Sequence, residues 1–269
     1  MDSELLVSSL PRVNEKRLFY LPRESSNCYV MGVDEAGRGP LAGPVVAAAF
    51  LVMPAKPQIF SSMPKGLAKG VTDSKQLSEH SREYLYLDKI KGNASVEYSV
   101  AVVDHKVIDK INILQATFRA MTEAVNSLIS VVTARDPNAC FSVLVDGNKV
   151  PPQLQERSEL YCESIVKGDS VEFVIAAASI CAKVERDHIM LKLHAEFPAY
   201  GFGQHKGYPT GAHVAAIATH GPCKYHRMTF GPLKRLGKKK VEKPVSKTEI
   251  SKLNSDPREE RLRRRNLLK

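Results

Sequence analysis

The sequence predicts an α/β domain with its site on one sheet edge, and three observations carry that expectation. An apolar run, Tyr29 to Val33, ends in Asp34-Glu35 and a glycine-bracketed bend, and a second apolar run, Val45 to Val52, follows. A long segment, Ile113 to Val132, places Leu114, Thr117, Phe118, Met121, Val125, Leu128 and Ile129 on one helical face. Further acids, Asp146 and Asp169, follow two other apolar runs, and carboxyl ends of strands in such sheets converge on common patches.

The elements follow in order. Tyr29–Val33 and Val45–Val52 read as strand, tight turn, strand, with Pro40, Gly43 and Pro44 in the connection. Gly37 and Gly39 flank Arg38, so the backbone there can approach a ligand closely and aim its N–H groups at it. Met53 to Gly70 is a long Pro-, Lys-, Ser- and Gly-rich loop. Ser78 suits an N-cap for a helix to about Lys91. Ser95 to Val103 alternates as a half-buried strand, and Asp104 can cap a turn of helix before the long one. Phe141–Val145 is a short strand running into Asp146-Gly147-Asn148, and Ser164–Lys167 a shorter one closed by Gly168-Asp169. One helix is expected from about Val171 to Glu196, then a glycine- and aromatic-containing loop over Gly201–Gly211, then a helix over Ala212–His220 stopped by Gly221-Pro222.

Size and composition bound the function. A chain of 269 residues with 43% hydrophobic residues builds one sizeable core, and no apolar run approaches a membrane span. Residues 1–28 are expected as an N-terminal arm, with a short strand or turn near Arg17–Leu21; residues 29–236 as the catalytic domain with a C-terminal helical segment; residues 237–269 as a basic, disordered tail. The acidic start Met1-Asp2-Ser3-Glu4 does not resemble a secretory signal or an arginine-rich presequence. Five scattered cysteines without a C-x-x-C pair suit reduced thiols in an intracellular protein, nuclear or cytoplasmic, with an organelle left open. A formal charge of +10 favours a polyanionic partner.

The chemistry concentrates in Asp34, Glu35, Asp146 and Asp169. Four converging carboxylates repel and cannot all ionise unless cations bridge them. Hard oxygen ligands without nearby His or Cys suit Mg²⁺ or Mn²⁺, and two such ions are a standard arrangement for phosphodiester cleavage. The plainer alternatives are a glycine-rich hairpin with solvated acids, and Asp146 and Asp169 as mere turn openers. His205, His213, His220 and His226 match no zinc spacing, and Gly37-Arg38-Gly39 lacks the third glycine of a dinucleotide fingerprint.

Seven pieces, in order from Tyr29 to Leu233, resemble the type 2 ribonucleases H, ribonuclease HII. They are Asp34-Glu35-Ala36-Gly37-Arg38-Gly39-Pro40, Asp73-Ser74-Lys75-Gln76-Leu77, Asn112-Ile113-Leu114-Gln115-Ala116, Val145-Asp146-Gly147-Asn148, Lys167-Gly168-Asp169, Ala176 to Lys183 with Arg186-Asp187, and His205-Lys206-Gly207-Tyr208-Pro209-Thr210. The Val145–Asn148 and His205–Thr210 forms are closer to bacterial-type single-chain enzymes than to the catalytic subunit of the eukaryotic three-subunit complex. The resemblance implies a ribonuclease H-like mixed sheet flanked by helices. It also implies hydrolysis of the RNA strand of RNA–DNA hybrids, and incision 5′ of single ribonucleotides in duplex DNA, by two Mg²⁺ or Mn²⁺ ions. Ribonucleotide excision repair and DNA replication are the processes it implies.

By the same resemblance Asp34, Glu35, Asp146 and Asp169 are the catalytic, metal-holding carboxylates. Gly37, Arg38 and Gly39 form the turn that reads the 2′-hydroxyl, completed by Tyr208; the 2′-hydroxyl is what separates RNA from DNA at one position. Lys75, Ser179 and Lys183 contact phosphate or support the site, or else serve as a structural serine and a lysine paired with Asp187. His226 and Arg227 are expected to help hold a phosphate. The partners implied are the hybrid and the ribonucleotide-containing duplex, the protein acting as a monomer without a membrane. The rivals are a non-catalytic basic nucleic-acid-binding module, against which the four acids argue, and a junction resolvase, against which Gly37-Arg38-Gly39 with Tyr208 argues.

Overall fold

The computed structural model describes residues 28–53 and 70–236; the expected arm over 1–27, loop residues 54–69 and the tail over 237–269 lie outside them. The described chain divides into two compact units. The first takes in the chain up to Arg38, Pro44–Val103 and Ile111–Arg186, and the second Gly39–Gly43, Asp104–Lys110 and the chain from Asp187 on.

The first unit is built on a five-stranded sheet. Its strands are β1 (Cys28–Ala36), β2 (Val45–Val52), β3 (Val96–Val103), β4 (Cys140–Asp146) and β5 (Leu160–Ile165), in the order β3-β2-β1-β4-β5. β1 pairs antiparallel with β2, and β2 with β3, whereas β1–β4 and β4–β5 are parallel. The helices are α1 (Glu79–Tyr84), widening into a π-helical turn over Leu85–Ile90, α2 (His105–Ile111), α3 (Ile113–Thr133), α4 (Pro152–Gln155), α5 (Gly168–Val171) and α6 (Phe173–Glu196). After them come α7 (Phe202–His205), α8 (Gly211–His220) and α9 (Gly231–Leu236). The mixed sheet with helical layers is the α/β architecture expected.

Both sheet faces are covered, which explains why β1 and β2 read as continuous apolar runs. Even-numbered residues Val30, Ala48, Phe50 and Leu144 share a core with Phe173–Val184 of α6 and with Leu85, Tyr86 and Ile90. The odd-numbered Met31, Val33, Val143 and Val145 are fully buried on the opposite side, where α3 packs on β1, β2 and β3. Gly32 is where α6 comes closest: a Cβ there would lie 2.2 Å from the carbonyl carbon of Val174, so only a residue without a side chain lets the helix onto the strand.

Local signals fixed the starts of several elements. Ser78 Oγ accepts the Ser81 N–H at α1, and Asn112 Oδ1 accepts the Leu114 and Gln115 N–H groups at α3. Two expectations shift. β5 begins at Leu160 and not at Ser164, because this edge strand is bonded on one side only and its half-exposed residues lack a clear alternation. The helix expected from about Val171 to Glu196 is α6, which begins at Phe173 because Glu172 is extended (φ −113°, ψ 124°) and closes the short α5 before it. Cys140 is disulfide-bonded, so the expectation of reduced thiols fails there, while Cys162, Cys181 and Cys223 are free.

The second unit has its own core of Leu41, Ala42, Met190, Leu193, Tyr200, Phe202, Ile217 and Leu233. Its opening turn is stitched to later segments by backbone bonds: Leu41 N–H to Gly207 O at 2.8 Å, Gly43 N–H to Tyr225 O at 3.0 Å, and Arg227 N–H to Leu41 O at 2.8 Å. The expected loop over Gly201–Gly211 contains the short helix α7 before it opens at Lys206.

Candidate active site

The parallel pairing of β1 and β4 sets Val33 beside Val145, so Asp34 and Asp146 come next on neighbouring strands, Asp146 ending β4 and Asp34 still paired with Ala48 of β2. Their even numbers turn both side chains toward the α6 face. Asp169 arrives from α5, after Lys167 in the left-handed region (φ 57°) and Gly168. Gly168 passes close to the cluster, since a Cβ there would lie 3.4 Å from Asp146 Oδ1. The Asp169 N–H then donates to Asp146 Oδ1 at 3.3 Å.

Carboxylate oxygens of Asp34, Asp146 and Asp169 lie within 4.8 Å of one another. Asp34 is 4% exposed and Asp169 6%. Burial, then the charges of Glu35 and Asp146, push the Asp34 carboxyl well above the ordinary carboxylate range, against the Glu35 N–H bond and Lys75. Burial and Asp169 raise Asp146 likewise. Such a cluster is under electrostatic tension that a bound cation relieves, and its all-oxygen donor set fits Mg²⁺ or Mn²⁺.

Glu35 follows Asp34 on a pleated strand, where neighbouring side chains face opposite ways. Its Oε1 accepts from Arg38 Nη1 at 3.3 Å, and it is outside the group of three. Burial nonetheless raises its carboxyl, with Arg38 opposing and Asp146 adding to the rise. Lys75 supplies positive charge from the other side: its Nζ donates to Asp169 Oδ2 at 3.1 Å and lies 3.9 Å from Asp73 Oδ1. Ser179 holds that segment in place, its buried Oγ accepting the Ser74 N–H at 3.3 Å while donating to Ala176 O at 2.9 Å. Lys183 is half-buried one turn further along α6.

The glycine turn is rigidly seated. Gly37 has φ +97°, and a Cβ there would lie 2.0 Å from Arg186 Nε, which donates to Pro44 O at 3.0 Å. Arg186 is a supporting residue the sequence reading left unassigned, although it lies within a matching motif. Arg38 is exposed. Within the second unit, Tyr208 is 40% exposed and a Cβ on Gly39 would stand 3.5 Å from its Cε1, an ordinary contact distance. His226 and Arg227, expected near a phosphate, are interior groups at 1% and 0% exposure. The Arg227 Nε donates to Gly43 O at 2.9 Å and its guanidinium lies over the Phe230 ring at 5.0 Å, so both residues brace the Gly39–Gly43 turn from inside.

Among the described residues, no helix is long and apolar enough to cross a membrane. A family model of ribonuclease HII matches residues 31–232. A ribonuclease HII of Chlorobaculum parvum is 50% identical over 210 residues, covering 78% of this chain and 92% of its own. One of Xanthomonas campestris pv. campestris (strain B100) is 46% identical over 206 residues, covering 77% and 76%. The solved ribonuclease H2 of Pyrococcus horikoshii OT3 aligns with a TM-score of 0.56 at 27% identity, covering 77% of this chain and 96% of its own. The acid cluster, the fold and these relatives agree: the chain belongs to the ribonuclease HII family and is an endonuclease of that family.

Proposed function

We propose that this protein hydrolyses the RNA strand of RNA–DNA hybrids and incises 5′ of single ribonucleotides in duplex DNA, leaving 5′-phosphate and 3′-hydroxyl ends. The observation that carries the reading is the trio Asp34, Asp146 and Asp169, two of them buried, with oxygens within 4.8 Å of one another, in a chain whose net charge is +10. A purely phosphate-binding surface gains nothing from three clustered acids, which repel the backbone it must hold. Asp34, Asp146 and Asp169, with Glu35, would hold two Mg²⁺ or Mn²⁺ ions. Bound there, the ions would activate water and stabilise the leaving oxygen.

The chain's own groups do the rest. The Gly37–Gly39 turn offers backbone N–H groups to a 2′-hydroxyl, with Arg38 beside it for phosphate. Tyr208 offers a phenol to the same ribose and a ring to pack on the adjacent sugar. Lys75 carries charge toward both the acids and a phosphate, and Ser179 fixes the segment that bears it. Lys183 adds a phosphate contact from α6. The bacterial relatives lend the nuclear alternative no support.

The test is cleavage mapping on two duplexes, one with a single ribonucleotide and one a full hybrid, with both ends of each product identified. One cut 5′ of the lone ribonucleotide, with a 3′-hydroxyl upstream, is expected. Binding to both duplexes without cutting in Mg²⁺ or Mn²⁺ would favour the non-catalytic alternative.

A further inference from the structure

Tyr208 opens no regular element; its N–H donates to His205 O at 2.9 Å, and its carbonyl accepts the Thr210 N–H at 2.8 Å and faces one buried imidazole. His213, on α8, faces the Tyr208 carbonyl through Nδ1 at 2.9 Å and His226 through Nε2, with 3.1 Å between the two Nε2 atoms. His226 Nδ1 accepts the Cys223 N–H at 2.9 Å. His226 Nδ1 also stands 3.3 Å from Cys223 O and 3.1 Å from Cys223 Sγ, and the shorter contacts favour one proton pattern. A carbonyl requires a proton on His213 Nδ1, which leaves His213 Nε2 bare in the neutral ring, and His226 must then donate from its own Nε2. The accepted Cys223 N–H requires His226 Nδ1 to be bare, which agrees. A directed chain results: Cys223 N–H to His226, His226 to His213, His213 to the Tyr208 carbonyl. His205 adds a second hold, donating from Nε2 to Tyr200 O at 2.7 Å and accepting the Gly207 N–H on Nδ1 at 3.2 Å, with its ring stacked 4.5 Å from that of His213.

The chain works only with neutral rings, and burial supplies that condition by pushing both His213 and His226 down to about 4, opposed at His213 by the Tyr208 carbonyl and at His226 by the Cys223 backbone, whose carbonyl stands 3.3 Å from Nδ1. Stability alone does not call for it. The pair lies among Tyr200 and Phe202, and an apolar pair of like volume would fill that space without desolvating four ring nitrogens. What an apolar pair could not do is add a side-chain bond to the Tyr208 carbonyl beside the one it accepts from the Thr210 N–H.

We propose that His213 and His226 are positioning residues for ribose recognition, holding the Tyr208 backbone so that its phenol stays at Gly39. The inference rests on the reading of Tyr208 as the ribose-contacting tyrosine.

The experiment measures kcat/KM on the single-ribonucleotide duplex and on the full hybrid for His213→Gln, His213→Asn, Tyr208→Ala and the double variant Tyr208→Ala/His213→Gln, with thermal melting of each. Gln at 213 reaches toward His226 and abandons the Tyr208 carbonyl, whereas Asn keeps an amide N–H near the place of Nδ1. His213→Gln should lose about tenfold on the single-ribonucleotide duplex, and His213→Asn should recover most of that loss. In the Tyr208→Ala background His213→Gln should cost less than about twofold, because the group it positions is gone. If Tyr208→Ala costs much but His213→Gln is silent, or equally costly in both backgrounds, the positioning role is overturned and the reading of Tyr208 stands. If Tyr208→Ala is itself silent, the reading of Tyr208 falls and the inference with it. Should His213→Gln not melt cooperatively, His226→Asn, which keeps the Cys223 bond and drops the one to His213, must show the same dependence on Tyr208; a loss unaffected by Tyr208→Ala overturns the proposal.

Discussion

Lys75 Nζ donates to Asp169 Oδ2 across 3.1 Å from a side chain that is 76% exposed, so a solvent-side cation is built into an otherwise buried acid cluster. The lysine lowers the carboxyls of Asp34, Glu35 and Asp146, each of which other causes raise. Lys75→Ala should therefore move those carboxyls further up, and the acid limb of the pH–rate profile should shift to higher pH. The profile of kcat/KM at limiting Mg²⁺, where protons compete with the ion for these carboxyls, checks it; an unshifted or acid-shifted limb would show that Lys75 acts on the substrate alone.

The same raised carboxyls make a stability prediction for metal-free protein. A group whose folded pKa is raised stabilises fully below its unfolded value, near 3.8 for Asp34, and loses that contribution as pH rises through the folded value. Chelated protein should thus become less stable from about pH 4 upward through the raised range of Asp34 and Asp146. Asp34→Asn should have a higher Tm than wild type at pH 7.5 in chelator, and Mg²⁺ should raise the Tm of wild type by more than that of the variant. A lower Tm for Asp34→Asn in chelator would mean the carboxylate is stabilising and the cluster is not under tension.

Gly32→Ala tests the seating of α6 on β1. The added methyl would lie 2.2 Å from Val174 backbone carbon, which no side-chain rotation relieves. A loss of roughly 1–3 kcal/mol or more in denaturant unfolding is expected. A change under about 0.5 kcal/mol would contradict the close packing.

Much of this site was legible because strand ends announce themselves. Asp34 and Asp146 each terminate an apolar run, and parallel pairing of β1 with β4 brings such ends together. Glu35 was equally conspicuous, but a pleated strand turns adjacent side chains apart, and it faces Arg38 outside the closest trio. Asp169 lies past β5, whose edge position blurred its own limits by four residues at the start, from Ser164 to Leu160. The start of α6 moved by two residues, from about Val171 to Phe173, since no Gly or Pro marks the extended Glu172. His226 and Arg227 were expected to help hold a phosphate, and their burial follows from the bridge of His226 to Ala42 and the Arg227 bond to Gly43 O, neither of which the sequence marks. The bond from His213 to His226 joins residues thirteen apart whose spacing matches no motif, so sequence offered no signal for it.

Tyr208→Phe should keep the ring at Gly39 and lose one hydrogen bond to the ribose, costing on the order of 1–2 kcal/mol in kcat/KM. The loss should be larger on the single-ribonucleotide duplex, where one 2′-hydroxyl carries all discrimination. Equal small losses on both duplexes would assign the tyrosine to packing.

The most direct measurement is the single-turnover cleavage rate of the single-ribonucleotide duplex in Mg²⁺ for wild type, Asp34→Asn and Asp146→Asn, each checked for folding and duplex binding. Both variants should fold cooperatively and bind the duplex yet cleave at least about a thousandfold more slowly, roughly 4 kcal/mol of transition-state stabilisation. Near-wild-type cleavage by either, or full wild-type cleavage in excess chelator, would contradict the assignment of the chemistry to this carboxylate cluster.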